Sequence, residues 1–184
     1  MMINKIFRRV CTVVLLASLL VGCGDGSHDK LTDYGYVFQE VMTNEEGVFR
    51  GVNLGDDIDG LFDKEGAAAV ENENDYLYYE YQIDSLTSFN VAYSFDQNGN
   101  LIEVLSKVYM VDEMAGIDSV HNDFLRFYTQ HYGEPISEKG MNSWAVKSEK
   151  YDEILIALGF ESTALGNNSN THGIVSLWIY PNKR

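Results

Sequence analysis

The sequence runs to 184 residues and carries 13 Lys and Arg against 28 Asp and Glu, a formal net charge of −15 at pH 7. Such a field repels phosphate backbones and anionic lipid surfaces, which argues against nucleic-acid binding by counterion release and leaves a basic partner or a cation as the charged ligands that fit.

The chain opens with Lys5, Arg8 and Arg9, followed by an apolar run from Val10 to Leu20 broken only by Thr12 and Ser18. A positive start before a short apolar run is the pattern of a signal-peptide core. A membrane-spanning helix needs about 20 mostly apolar residues, roughly twice what precedes Gly22, Gly24 and Asp25. The run ends Leu20-Val21-Gly22-Cys23, which resembles the lipobox cut by the lipoprotein signal peptidase: aliphatic, small or aliphatic, small, then Cys. The resemblance implies that residues 1–22 leave as a signal peptide and that the Cys23 thiol takes a diacylglyceryl group, becoming the lipid-bearing N-terminus. An ordinary secretory signal with a chance Cys is the alternative. At ~0.8 kcal/mol per buried methylene, one acyl chain holds a protein only marginally, whereas two or three hold it almost permanently. After cleavage 10 basic residues face 28 acidic ones, a formal charge of −18, and 162 residues remain, enough for one ordinary domain. Cys11 departs with the signal and Cys23 is consumed by lipid, so no thiol remains for a disulfide, a nucleophile or a metal.

Residues 23–33 read as a lipidated flexible tether, polar and small, with His28 in solvent. Residues 34–184 read as a single α+β domain. Tyr34 to Met42 forms a first short strand or helix, its type left open. A helix should begin near Asp56 as N-cap, bury Ile58, Leu61 and Phe62, and end by Gly66, with Ala67 to Asp75 as a loop. Leu77, Tyr79, Tyr81 and Ile83 then alternate with Tyr78, Glu80 and Gln82, the period of a half-buried strand. Phe89, Val91, Tyr93 and Phe95 repeat it. Asp96 to Asn100 supplies turn residues tolerant of positive φ, so Leu101 to Val111 should return as the hairpin partner.

A longer amphipathic helix is predicted where Ile117, Val120, Phe124, Phe127, Tyr128 and His131 fall at helical spacings, stopped by Gly133 and Pro135. Three strands follow, near Trp144 to Lys147, Glu153 to Phe160 and Ile174 to Tyr180, with a mobile loop from Glu161 to Gly173. The series helix plus three strands thus occurs twice, over residues 45–112 and 113–182. The fold class expected is α+β: two tandem units sharing an antiparallel sheet with helices packed on one face.

The stretch Phe49-Arg50-Gly51-Val52-Asn53-Leu54-Gly55-Asp56-Asp57-Ile58, then a helix, a Tyr-rich strand and Phe95-Asp96-Gln97-Asn98-Gly99-Asn100-Leu101, resembles the beta-lactamase-inhibitor-protein-like fold shared by small outer-membrane assembly lipoproteins. The second unit keeps Gly133-Glu134-Pro135 but lacks the Leu-Gly-Asp start and the Asn-Gly turn. The resemblance implies binding to another protein and assigns no functional residue.

Catalytic patterns are poor. His121 and His131 are ten residues apart, roughly 280° around a helix of 3.6 residues per turn and about 15 Å along its axis, so they do not converge on one metal. An EF-hand with Gly60 in sixth place would need acids where Gly55 and Gly66 stand. Asp96, Asn98 and Asn100 have calcium-loop spacing, but Leu101 takes the required glycine position and a hairpin explains them. No nucleophile elbow frames any Ser. The expectation is therefore no enzyme, no catalytic residue, no metal and no cofactor.

Asp84-Ser85-Leu86 and Asp118-Ser119-Val120 resemble the Asp-Ser-aliphatic O-glycan acceptor of some gut anaerobes, which makes Ser85 and Ser119 candidate modification sites; for Ser119, helix-start chemistry around Asp118 is the competing reading. If Leu77, Tyr79, Val175, Leu177 and Ile179 face the helices, then Tyr78, Glu80, Gln82, Ser176, Trp178 and Tyr180 line the other side of the sheet. Exposed aromatics among acids suit a protein interface, so Tyr78, Glu80, Trp178 and Tyr180 are the candidate binding face. Strand propensity alone, or cover by the Glu161 to Gly173 loop, would explain the same residues. The functional expectation is an exported envelope lipoprotein, anchored by lipid at the outer membrane on its periplasmic or outer side, that binds or assembles proteins. The alternative is an acidic inhibitor or immunity-type protein that neutralises a basic envelope enzyme.

Overall fold

The computed structural model describes residues 29–164 and 170–182. The expected signal peptide, Cys23 and the expected tether as far as His28 lie outside the described residues. Among the described residues no helix is long and apolar enough to cross a membrane.

Leu31–Asp33 forms a 3-10 turn, and the segment of open type is a helix, α1 (Tyr36–Met42). Its Phe38, Val41 and Met42 are buried at spacings of three and four, one stripe of a helix. A tight hairpin follows, with Phe49 bridged to Val52 and both turn residues left-handed, Arg50 at φ 50° and Gly51 at φ 78°. Such a two-residue turn matches the twist of its flanking strands. The next helix, α2 (Ile58–Glu65), starts one residue later than expected, because Asp57 rather than Asp56 caps it by accepting from the Asp59 N–H at 2.9 Å. Asp56 instead accepts from the Asn53 N–H at 3.0 Å. Gly66, at φ 63°, ends the helix. Leu61 is buried as expected, but Phe62 is 38% exposed and Glu65 takes the interior position in its place. The long helix is α3 (Met114–Tyr132), burying Ile117, Val120, Phe124, Phe127 and Tyr128; His131 is half-buried.

Eight strands form one antiparallel sheet: β1 (Glu71–Glu73), β2 (Tyr76–Gln82), β3 (Thr87–Phe95), β4 (Leu101–Glu113), β5 (Ile136–Glu138), β6 (Met141–Val146), β7 (Ile154–Ala164) and β8 (Asn170–Pro181). Their spatial order is β1-β2-β3-β4-β8-β7-β6-β5, so β4 and β8 meet at the centre and the two short strands form the edges. The fold is α+β with an antiparallel sheet.

Each half contributes four strands rather than three. β1 lies within Ala67 to Asp75, read as loop, and β5 follows Pro135 unannounced; three residues are too few to display a period of two. The expected loop from Glu161 to Gly173 is also largely strand: Ser162 pairs with Gly173, Thr163 with His172 and Ala164 with Thr171. Polar β-branched Thr favours a strand without any apolar signal. Residues 165–169 of that loop lie outside the described residues.

Burial alternates as the period predicts. Leu77 and Tyr79, then Phe89, Val91, Tyr93 and Phe95, then Val175, Leu177 and Ile179 are buried while their neighbours are less so. Side chains of α3 meet strand residues in register with these: Tyr128 lies 5.5 Å from Trp144 and His121 5.6 Å from Phe160, ring to ring. Gly173 of β8 lies directly under Ile117, whose Cδ1 would be 2.8 Å from any added Cβ. α1 joins through Phe38, 4.8 Å from Phe124 and 5.4 Å from Phe127.

Candidate functional site

Strand register fixes which residues share the opposite side of the sheet, since parity is preserved across the paired strands away from the register shift at Ser94 and Phe95. Tyr78 pairs with Ala92, Ala92 with Leu105, and Leu105 with Trp178. The same row continues through Ala157 and Ser143 to Ile136. One step along lies a second row, Glu80, Asn90, Lys107, Ser176, Gly159 and Met141. Trp178 is 42% exposed, Glu80 is exposed, and Tyr78 and Tyr180 are half-buried. All four expected residues therefore share a face. They do not form one patch: three strand spacings separate Tyr78 from Trp178, about 14 Å at about 4.8 Å each.

Around Tyr78 the surface is polar and internally tied. Its hydroxyl donates to Glu80 Oε1 at 2.9 Å and accepts from Asn90 Nδ2 at 3.0 Å, while the same Asn90 nitrogen reaches the Tyr109 hydroxyl at 3.3 Å. Tyr76 stacks on Tyr78 with 6.5 Å between centroids. Burial and the hydrogen bond to Glu80 push the Tyr78 pKa up.

Around Trp178 the surface is more apolar and concave. The Tyr180 ring centre lies 4.6 Å from that of Trp178. A basin of about 510 Å³ has small residues for its floor, Ala157, Gly159 and Ser176, with Leu105, Met141 and Trp178 as walls. Lys107, Lys139, Glu103 and Glu161 border it. Lys139 stands at φ 52° before Gly140 at φ 79°, the turn joining β5 to β6. Ile136 and Met141, 69% and 45% exposed, extend the apolar surface toward the β5 edge. Sequence reasoning missed Lys107, Met141 and Ile136; parity along β4 would have placed Lys107 on this face, whereas Met141 and Ile136 lie outside the strands that the sequence predicts.

A second cluster went unrecognised. Arg50 and Glu65 form a buried ion pair at 2.8 Å, their side chains 5% and 1% exposed. Arg50 Nε also donates to both Glu65 oxygens, at 3.0 and 3.1 Å, and Nη1 reaches the carbonyls of Val41 at 2.6 Å and Glu40 at 3.2 Å. Glu65 further accepts the Tyr81 hydroxyl at 2.6 Å and the Tyr93 hydroxyl. The guanidinium lies 5.2 Å from the Tyr81 ring and 5.6 Å from that of Phe89. Burial acts to lower the Arg50 pKa, but the Glu65 carboxylate outweighs it and the net direction is upward. Burial, then the charge of Glu65, push the Tyr93 hydroxyl well above its ordinary range. Closed to solvent and satisfied by protein groups, this cluster ties α1, α2, β2 and β3 together rather than presenting chemistry to a ligand.

The remaining candidates are dispersed. Ser85 is exposed in the turn between β2 and β3, where Asp84 Oδ1 accepts the Leu86 N–H at 2.8 Å. Ser119 is exposed on α3, but that helix begins at Met114, which puts Asp118 beyond the first turn and removes the helix-start explanation. His121 Nε2 is buried without a hydrogen-bond partner, and burial lowers the pKa of this ring. His131 Nδ1 lies 2.8 Å from the Phe127 carbonyl oxygen. Asp96 accepts the Asn98 N–H at 2.8 Å and the Asn100 N–H at 2.9 Å, and backbone bonding from Asn100 heads the causes that lower its pKa, as a hairpin turn requires. Among the described residues no group of three or more His, Cys, Asp or Glu is placed to hold a metal ion.

No family model, curated protein or solved structure matches the chain.

Proposed function

We propose that the chain is an exported, lipid-anchored envelope lipoprotein that binds or assembles proteins through the sheet face bearing Tyr78 and Trp178. The supporting observation is the uneven character of that face. Ile136, Met141 and Trp178, three of the eight exposed large apolar side chains among the described residues, belong to adjacent rows at one end of it. In this reading the chain is two tandem helix-plus-strand units of the beta-lactamase-inhibitor-protein-like kind. Their helices cover one face and leave the other for a partner. The central meeting of β4 with β8, each the last strand of its half, supports that arrangement. The reading requires neither catalysis nor a cofactor.

The anchor rests on the charge, core and lipobox at residues 1–23. A fatty-acid analogue should label the wild type and not Cys23→Ser; equal labelling removes the anchor. For the docking face, crosslinking in intact envelopes should yield a specific adduct that Trp178→Ser with Tyr180→Ser abolishes without unfolding. An unaltered adduct removes this surface from the reading.

A second reading, an acidic inhibitor or immunity-type protein for a basic envelope enzyme, is favoured by the charge of −18 left after signal cleavage. Salt separates the two: steered acidic inhibition weakens steeply with ionic strength, whereas aromatic docking persists. Ser85 and Ser119 are both exposed, and intact-mass analysis of the exported protein tests both glycan candidates, since a single unmodified species removes them.

A further inference from the structure

The basin beside Trp178 narrows the docking reading, on which this inference rests, to a particular partner chemistry. Its floor is low because Ala157 and Gly159 of β7 lie beside Trp178 and Ser176 of β8, so three of four paired positions carry little or no side chain. A volume of about 510 Å³ falls within the range of concave recognition sites, about 300–1,000 Å³. The basin's apolar walls suit one bulky hydrocarbon side chain.

Lys107 lies at its border, half-buried on β4 between Asn90 of β3 and Ser176 of β8. It forms no ion pair among the described residues, although acids outnumber bases by more than two to one in the sequence. Among the described residues Glu103 and Glu161 also border the basin but form no ion pair with either lysine there, and Lys139 pairs with the exposed Glu138, at 3.6 Å. A cation that pairs with no carboxylate among the described residues, at the centre of a face with an indole beside it, is complementary to an anion that arrives with the apolar group. Docking would expel the water around the ammonium and strengthen that pairing.

We infer that this basin receives a bulky apolar side chain of a protein partner with a carboxylate adjacent to it in the partner's chain, and that Lys107 binds the carboxylate. The probes are fluorescein-labelled peptides carrying Phe-Asp, Phe-Asn or Phe-Lys in a Gly-Ser frame, titrated by anisotropy into the full-length protein in mild detergent. Phe-Asp should bind about tenfold tighter than Phe-Asn, the scale of one charge-assisted contact, and Phe-Lys weakest. Lys107→Met should erase the Asp preference and leave Phe-Asn binding unchanged. Lys107→Arg should keep the preference, which separates loss of charge from loss of fold, and Lys147→Met should alter nothing. Equal binding of Phe-Asp and Phe-Asn, a preference surviving Lys107→Met, or no Phe-Asp binding at about millimolar peptide each overturns the inference. Envelope crosslinking distinguishes its failure from that of the docking face. An adduct lost in the Trp178 and Tyr180 double variant but unchanged in Lys107→Met leaves the face standing and overturns the Lys107 contact, whereas an adduct unchanged in both overturns the two together.

Discussion

Replacing Glu65 by Leu should be among the most damaging single changes in the chain. Glu65 accepts from Arg50 and from the hydroxyls of Tyr81 and Tyr93, so the substitution strands one guanidinium and two phenols at once. Arg50 cannot turn to water, with its side chain 5% exposed and its Nη1 held by the Val41 carbonyl at 2.6 Å. Breaking a buried ion pair from one side costs about 3–5 kcal/mol. In a domain of this size each kcal/mol lowers the melting midpoint by about 2–4 °C, so a fall of about 10 °C is expected. The double variant Arg50→Met with Glu65→Leu removes both charges and should cost less than the sum of the singles, with a coupling of about 2–3 kcal/mol. Full recovery is not expected, because Tyr93 loses its acceptor and the Glu40 and Val41 carbonyls their donor. Urea denaturation at neutral pH followed by far-UV circular dichroism reads all four proteins, with an unchanged slope against denaturant as the condition for comparing midpoints. A single-variant cost below about 1 kcal/mol, or simple additivity in the double, would refute the reasoning that this pair is both buried and mutually dependent.

Burial raises the pKa of Tyr93, Tyr128, Tyr132 and Tyr79, with burial and the hydrogen bond to Glu65 doing so for Tyr81. A phenol held protonated in the folded state contributes fully below its unfolded value of about 10, and that contribution is lost as pH rises through the folded value. Stability should thus fall steeply above about pH 10, with tyrosinate absorbance at the unfolding transition rather than before it; early titration of all tyrosines would contradict the burial. His121 has the opposite sense: burial lowers its pKa, so the contribution of the neutral ring is present above about pH 6.5 and is lost as pH falls toward the folded value, a dependence that His121→Phe should flatten in acid titrations of stability. Gly173→Ala should destabilise by about 1–3 kcal/mol through overlap with Ile117, while Gly60→Ala, with open space around its Cβ position inside α2, should stabilise by up to about 1 kcal/mol. Thermal melts of the two variants displaced in the same direction would refute this contrast.

Elements whose burial follows one clear period were readable from sequence. β2 and β3 alternate residue by residue, and α3 repeats its apolar positions over 19 residues. Those lacking such a signal were not. β1 is Glu-Asn-Glu, exposed throughout, and exists through its pairing with Tyr76 to Tyr78. The ends of β7 and β8 carry Ser, Thr and His and hold together by their mutual ladder, a non-local cause that no window of sequence contains. α1 was ambiguous because seven residues allow either period, and its helical state is settled by packing of Phe38 against Phe124 and Phe127, more than 80 residues away.

The two features of most consequence were hidden for opposite reasons. Glu65 follows Lys64 near the end of a short helix in an acid-rich sequence, where charge is the ordinary mark of a solvated face. Only the hairpin that puts Arg50 at positive φ brings a guanidinium to it, so the apolar position expected for Phe62 passes to a carboxylate. Lys107 was hidden by ordinariness. A lysine between Ser106 and Val108 on a half-solvated strand is what alternation predicts, and nothing local distinguishes it from a solubilising charge. Its meaning depends on a negative fact of the assembled sheet: the register sets Asn90 and Ser176 beside it, so no carboxylate of this acid-rich chain occupies either flanking position. Charge pairing in a sheet is decided across strands, at about 4.8 Å, and so the sequence can show how many carboxylates exist but not which cations they leave unanswered.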